Sequence, residues 1–299
     1  MRCSMWARVA MAGAPIGLAI GTALGQGVSE PAAVATVRVV APSDIATADA
    51  LLTALETADQ SLTSLQCNLV YDKRFSLQED QHIRLGKLYF ATEKGKGDAR
   101  PTKTFAVVFD TLILDGASRP EKLSMVFDGE WLLEKRDAEK QWVARQLAPP
   151  EAPIDPLRLG EGPLPIPIGQ PKAEILARFD ASLLPYDDGF QNAVEDDLAY
   201  RDFVAGCWQL LLLPKTDTPD AERFSEIRLW YSRDEKGRIL PRMAFTIDRK
   251  GDESFVQLIG TQINKPLPDG VIDMTEPDPA SGWDVQRDFG RFDEPMEAE

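Results

Sequence analysis

The fold is decided at Leu65-Gln66-Cys67-Asn68-Leu69-Val70-Tyr71-Asp72, where Leu65, Cys67, Leu69 and Tyr71 occupy alternate positions. Successive residues of a strand point to opposite faces, so this period of two predicts a strand with one buried and one solvated face. Ahead of it lies the 3.6-residue period of an amphipathic helix, with Ser43 as a good N-cap. Its apolar positions are Leu51, Leu52, Leu55, Ala58, Leu62 and Leu65. One helix therefore leads into a β-structure.

Strand-like segments continue along the chain, joined by turn sequences. They lie near residues 83–92, 104–114, 121–127, 131–136, 141–147, 207–213, 224–233, 238–248 and 252–263. The Asp128-Gly129 pair stands between two of them and predicts a hairpin, because these residues tolerate positive φ. Many consecutive hairpins predict a mainly β (α+β) fold in which an antiparallel meander curls, with a leading helix and short capping helices.

A proline-rich stretch separates the two sets of strands. Eight prolines between Pro149 and Pro171 exclude helix interiors and central strands there. Pro171 suits the first turn of a short helix with Ile175, Leu176 and Phe179 on one face. We interpret the loop and helix as a cap over the sheet; an interdomain linker is the alternative.

The two ends of the chain differ from this pattern. Residues 1–25 resemble a signal peptide, with Arg2 and Arg8 followed by an apolar run and small residues at the expected cut. A membrane anchor is the alternative, but the run is short for a spanning helix and Pro15 interrupts it. We predict that residues 26–42 form a flexible leader, that residues 43–275 form the main domain and that residues 276–299 form an acidic flexible tail. We expect a periplasmic or otherwise exported protein that is soluble after cleavage.

The net charge and the few residues able to bind a metal exclude several classes of function. The net charge of −15 repels nucleic acid, so no nucleic-acid partner is expected. Cys67 and Cys207 remain after cleavage, and either a disulfide or two buried free thiols fits their strand-like surroundings. His82 is the only histidine and neither cysteine has metal-ligand spacing, so we predict no metal and no cofactor.

The order of these elements resembles the LolA-type periplasmic carriers of outer-membrane lipoproteins and their wider superfamily. The resemblance covers about residues 43–273. Its motifs in the first half are the leading helix, the strand Gly86-Lys87-Leu88-Tyr89-Phe90, the hairpin Asp128-Gly129-Glu130-Trp131-Leu132 and the proline-rich cap. In the second half they are the strand Leu210-Leu211-Leu212-Leu213-Pro214-Lys215, the stretch from Asp248 to Gly260, and the closing sequence Ile263-Asn264-Lys265-Pro266-Leu267-Pro268-Asp269-Gly270-Val271. Each motif is weak alone, and their order and spacing carry the resemblance.

The resemblance implies an incomplete, curled antiparallel β-barrel. Its concave face, covered by short capping helices, is expected to shelter acyl chains of lipoproteins or other lipids without catalysis. It also implies membrane-bound donor or acceptor proteins as partners, and we expect a monomer. Strand parity gives the residues expected to line the cavity: Leu69, Tyr71, Leu88, Phe90, Trp131, Leu133, Leu211 and Leu213. The alternative is that such residues pack a closed core against the helices. Where the carriers have an arginine that holds their lid, parity places Thr92, which departs from the family pattern.

Catalytic constellations are weak in this sequence. The acidic groups at 187–188 and 195–197 lie in polar, turn-like sequence with no apolar surroundings to raise a carboxyl pKa, so we interpret them as solvated loops. His82 has no Gly-x-Ser-x-Gly partner. We therefore predict that the chain is not an enzyme. A sensor or interaction module on the same fold is the alternative to a carrier, and an enzyme with an unrecognised site comes third.

Overall fold

Strands joined by tight turns make up most of the computed structural model, which describes residues 44–58, 60, 62–93, 102–149, 159, 170–190 and 195–290. Within these residues the strands are β1 Ser64–Phe75, β2 Asp80–Glu93, β3 Thr102–Leu114, β4 Ala117–Phe127, β5 Trp131–Arg136, β6 Gln141–Gln146, β7 Phe179–Leu184, β8 Trp208–Pro214, β9 Phe224–Arg233, β10 Ile239–Asp248, β11 Glu253–Ile263 and β12 Asp284–Asp288. The helices are α1 Ala48–Leu55, α2 Lys172–Arg178, α3 Glu195–Phe203, α4 Pro219–Arg223 and a 3-10 turn at Pro279–Ser281.

All twelve strands join one sheet, in the order β12-β6-β5-β4-β3-β2-β1-β11-β10-β9-β8-β7. Neighbours are antiparallel except β12, which pairs with β6 in parallel. The end strands β12 and β7 do not pair with each other, so the curled sheet stays unclosed. The prediction of an incomplete antiparallel barrel with few helices is confirmed.

The Asp-Gly hairpin forms where the sequence predicts it. Gly129 has a φ of 111°, a conformation that residues with a Cβ rarely adopt. The Asp128 carboxylate closes the turn by accepting hydrogen bonds from the backbone N–H groups of Glu130, at 3.0 Å, and Trp131, at 2.8 Å. This turn fixes the register between β4 and β5.

Gly86 marks the irregularity that lets β2 and β3 curl. The register between these strands shifts at Leu85 and Gly86, and Asp110 is the extra residue on β3. A Cβ added to Gly86 would lie 2.2 Å from the carbonyl oxygen of Val108. Only glycine allows the two backbones to approach this closely at a β-bulge.

The leading helix is shorter than the apolar period suggests. It begins after Thr47, whose side chain accepts a hydrogen bond from the N–H of Ala50 at 3.1 Å, while Ser43 lies outside the described residues. Leu62 lies in the connection and Leu65 belongs to β1, so the prediction of one helix through Leu65 is wrong. Both leucines are buried nonetheless, because helix and strand face the same core.

Several other elements were not predicted. Residues 195–197, interpreted as a solvated loop, begin α3 instead. The C-terminal region, predicted as a flexible tail from residue 276, contributes β12 to the sheet. The predicted signal peptide, the leader and most of the proline-rich cap lie outside the described residues. Among the residues described, no helix has the length and apolar character needed to cross a membrane.

Candidate functional site

The inner, concave face of the sheet is a continuous apolar surface. Its buried strand residues are Leu65, Cys67, Leu69, Leu88, Phe90, Phe105, Val107, Phe109, Phe127, Phe179, Trp208, Leu210, Leu212, Ile227, Leu229, Tyr231, Ile239, Ala244, Val256 and Leu258, which we call the inner cluster. They come from strands near both ends of the sheet. Of the predicted cavity residues, Leu69, Leu88 and Phe90 belong to it and Tyr71 packs against it. The continuous pairing of β2 with β3 places Thr92 on the same face.

Two short helices cover this face. Leu51, Leu52 and Leu55 of α1 and Ile175 of α2 are buried against the inner cluster. Leu159, from the proline-rich stretch, is fully buried in the same core. The apolar side of each helix thus occupies the concavity where the resemblance implies a ligand.

One lysine at the start of α2 holds the two helices together. The N–H of Lys172 donates a hydrogen bond to the Glu56 carboxylate at 2.7 Å, just after α1 ends. Its ammonium group forms an ion pair with Asp49 and contacts the Thr53 hydroxyl at 3.3 Å. These partly exposed polar contacts join α1 and α2 into one unit, which we call the lid.

The other end of α2 is fixed by a buried ion pair. Arg178 donates two hydrogen bonds to the Asp220 carboxylate of α4, from Nε at 2.7 Å and from Nη2 at 2.6 Å. Nη2 also donates to the carbonyl oxygen of Leu159 at 2.7 Å. Lys215 adds a hydrogen bond to the carbonyl of Leu176 at 2.6 Å. Because Asp220 is only 3% exposed, its charge depends on Arg178 for compensation.

A void of about 10 Å³ lies among Leu229, Tyr231, Met243 and their neighbours, which is about the space of one water molecule. The described apolar side chains of the lid pack against the inner cluster.

Four of the predicted cavity residues lie on the opposite, outer face. Leu210 and Leu212 point inward on β8, while Leu211 is half-buried and Leu213 is 42% exposed. Trp131 and Leu133 pack with Trp142 on the outer side of β5 and β6. The prediction for Leu211, Leu213, Trp131 and Leu133 is wrong in parity, because both faces of β5 and β8 carry apolar residues.

Helix α3 covers the outer face over β1 and β11. The Tyr200 hydroxyl donates a hydrogen bond of 2.7 Å to Asp72, a fully buried carboxylate that also accepts from Gln81 and Arg74. The Tyr200 ring stacks on Phe255 with centroids 4.5 Å apart. Burial and the Asp72 charge raise the pKa of Tyr200 well above its usual range. The phenol therefore stays protonated and anchors α3 to the sheet.

A C-terminal strap, residues 264–274, crosses the outer face from β11 towards β12 at the far edge. Asn264 anchors its start by donating its N–H to the carbonyl of Ser64 at 2.8 Å. Ile272 and Met274 pack at its end against an outer cluster of Ala106, Val126, Leu133, Trp142 and Ala144. Two open cavities, of about 570 and 400 Å³, lie beside Gly270 and Val271. The outer face is therefore covered loosely here.

Cys67 and Cys207 are buried free thiols. Cys67 belongs to the inner cluster and Cys207 to a separate core with Val204 and Trp230. Burial raises the pKa of each thiol to about 12. Neither thiol is ionised near neutral pH, so neither is a ready nucleophile.

Asp188 and His82, weighed above for catalysis, have structural partners. Arg228 donates hydrogen bonds to the Asp188 carboxylate at 2.8 Å and to its carbonyl at 3.1 Å, which fixes the turn after β7. His82 contacts the Asp80 carboxylate at 2.8 Å beside the Phe75 ring. Each group supports a local turn or strand end.

No protein-family model matches this sequence, and no curated protein is significantly similar to it. Solved structures with a similar chain course include an uncharacterised conserved protein from Thermus thermophilus, at 15% identity and a TM-score of 0.39, covering 79% of this chain and 98% of the other. A LolA superfamily protein from Nitrosomonas europaea is 11% identical with a TM-score of 0.29. The match covers 76% of this chain and 98% of the other. An outer membrane lipoprotein-sorting protein domain from Vibrio parahaemolyticus is 12% identical with a TM-score of 0.30. The match covers 74% of this chain and 95% of the other.

Proposed function

We propose that this chain is an exported, non-catalytic binding protein that shelters an acyl chain between the inner cluster and the lid. The observation that carries the proposal is the arrangement of the inner face. A wide, continuous apolar surface is covered by two short helices that polar side chains hold in place. We further propose that membrane-bound donor or acceptor proteins exchange the ligand, and that residues 1–25 direct export.

The energetics of lid opening fit an acyl ligand. Lifting α1 exposes Leu51, Leu52 and Leu55, at about 2 kcal/mol for each leucine, or about 6 kcal/mol in total. An acyl chain recovers about 0.8 kcal/mol for each methylene that it buries. A ligand that buries about eight methylenes therefore offsets the exposure of the helix. Shorter chains leave the lid closed.

This balance defines the experiment. Wild-type protein is titrated with N-phenyl-1-naphthylamine, whose fluorescence rises in apolar surroundings, and the probe is displaced with linear alcohols from octanol to tetradecanol. Affinity should rise about fourfold with each added methylene, the equivalent of about 0.8 kcal/mol. Probe binding with no dependence on chain length, or no probe binding at all, contradicts the proposal.

Paired variants test which face binds. Leu88→Asp places an unpaired charge on the inner face and should abolish probe binding, whereas Leu213→Asp alters an exposed outer position and should leave it unchanged. Thr92→Leu should bind like wild type, since a hydroxyl offers one donor where the carriers' arginine offers five. Circular dichroism shows whether each variant is folded. Equal damage from Leu213→Asp or Thr92→Leu contradicts this placement of the ligand.

A protein that binds no acyl compound fits the alternative function better. In that case the half-barrel acts as a sensor or interaction module. Native mass spectrometry of protein from the exported fraction separates the two, because a carrier should retain a lipid mass that dissociates on activation.

A further inference from the structure

The outer face of the sheet carries a cavity of about 400 Å³ beside the C-terminal strap. That volume falls within the range of small-molecule sites. Strands β2, β3, β4 and β5 supply its floor and walls, and Gly270, Val271 and Asp273 line it from the strap. The acyl site proposed above lies on the opposite face, so the two sites are separate.

One row of this cavity is apolar. Tyr89, Val126 and Leu133 belong to a single cross-strand row, in register across the four strands. Val126 and Leu133 are buried, and Tyr89 packs against the same outer cluster. Val271 adds an aliphatic side chain from the strap. This part of the cavity suits an apolar side chain or ring.

The next row of the same face carries two positive charges. Lys87 and Lys135 stand at its ends, with Val108 and Ser124 between them in register. Three strand spacings, about 14 Å, separate the two lysine backbones. Their long flexible side chains reach the space above the shorter residues from either side. Two ammonium groups therefore border the polar end of the cavity.

Two carboxylates line the same cavity. Asp110, the extra residue of the β3 bulge, accepts a hydrogen bond from the Thr111 hydroxyl at 2.7 Å. Asp273 accepts one from the N–H of Thr275 at 2.9 Å. Within the described part of the chain, no ion pair joins either carboxylate to either cavity lysine. Positive and negative groups thus face one space without neutralising each other directly.

We infer that this cavity binds a free α-amino acid with a large apolar side chain. The ligand carboxylate pairs with Lys87 and Lys135, and its ammonium group pairs with the carboxylates of Asp110 and Asp273. Its side chain packs on the apolar row beside the strap. Equal numbers of positive and negative groups suit a zwitterion better than an anion, which the net charge of −15 repels.

Three ligands with the same ring separate the two charges. L-Phenylalanine carries both, 3-phenylpropionate carries only the carboxylate, and 2-phenylethylamine carries only the ammonium group. Binding is followed by methyl NMR, since Val126, Leu133 and Val271 line the cavity. L-Phenylalanine should shift their signals and bind about threefold to fivefold more tightly than either other compound, the contribution of one exposed ion pair.

Double variants assign each charge to its residues. Lys87→Gln with Lys135→Gln should weaken L-phenylalanine and 3-phenylpropionate about threefold to fivefold and leave 2-phenylethylamine no weaker. Asp110→Asn with Asp273→Asn should weaken L-phenylalanine and 2-phenylethylamine and leave 3-phenylpropionate no weaker. Lys122→Gln is the control, an exposed lysine of β4 outside the cavity lining, and should bind all three like wild type. A variant that merely unfolds loses all three ligands alike.

The outcomes are distinct from those for the acyl site. Cavity methyl signals that do not respond to L-phenylalanine overturn the inference. Equal affinity for L-phenylalanine and 3-phenylpropionate also overturns it, and indicates a site for an anion such as a peptide C-terminus. L-Phenylalanine should not displace N-phenyl-1-naphthylamine, because the two bind opposite faces; displacement would place the amino acid elsewhere and overturn the inference.

Discussion

Replacing Arg178 with methionine should open the lid. The variant keeps a long apolar side chain but removes the guanidinium that compensates Asp220 and holds the carbonyl of Leu159. Breaking a buried ion pair by removing one partner costs about 3–5 kcal/mol. Arg178 keeps 20% of its side-chain exposure, so the low end applies, about 3 kcal/mol.

This loss destabilises the closed state of the lid, because Arg178 is the last residue of α2. A loss of about 3 kcal/mol shifts the equilibrium towards the open form by about a hundredfold. Apparent affinity is the intrinsic affinity scaled by the open fraction, so probe binding should become tighter until most molecules are open. A mutation that weakens the fold should therefore strengthen the binding.

The assay pairs probe titration with urea unfolding. Arg178→Met should bind N-phenyl-1-naphthylamine more tightly at lower stability. The double variant Arg178→Met with Asp220→Leu should regain closure, since an apolar pair of similar volume can replace a buried ion pair. Arg136→Met is the control, because its ion pair with Glu134 is more exposed than that of Arg178 with Asp220 and contributes little. Lower stability without tighter probe binding would refute the assignment of this ion pair to the lid.

Three further results are expected. Tyr200→Phe should lower the free energy of unfolding by about 1–3 kcal/mol in urea, because buried Asp72 loses a hydrogen bond; unchanged stability would contradict that role. Gly86→Ala should cost about 1–3 kcal/mol by calorimetry, because its Cβ meets β3 backbone, and a neutral result would mean that the bulge can relax. Cys67 and Cys207 should take up two thiol labels on unfolding without reductant and none when folded, since burial raises each pKa to about 12; zero labels after unfolding would indicate a bridge.

Strands with clear turn residues could be predicted from the sequence closely. The bounds of β5 and β9 agree with the predicted segments, because Asp-Gly and Glu-Lys-Gly turns end the neighbouring runs. The edge strands could not be predicted. Strand β7 follows α2 directly with no turn residue between them, and β12 has one apolar residue among charged ones. The long-range pairing that orders these two strands has no local signal.

The facing of the strand side chains was predicted in part, for a related reason. Parity correctly placed Leu88 and Phe90 on the inner face, but it failed on β8, where four consecutive leucines fit either face. The Arg178 and Asp220 pair joins residues 42 positions apart, and neither stands in a recognisable motif. A buried Asp72 likewise looks like an exposed strand residue until α3 brings Tyr200 to it.

Mapping a photoreactive ligand tests the central claim most directly. Wild-type protein is irradiated with a dodecanol analogue that carries a diazirine near the end of its chain, and the adducts are located by peptide mass spectrometry. The account predicts adducts on inner-cluster residues such as Leu88, Phe90 and Leu210, which excess tetradecanol should suppress. Adducts confined to the outer face, around Val271 or Leu213, or labelling that tetradecanol does not suppress, would contradict it.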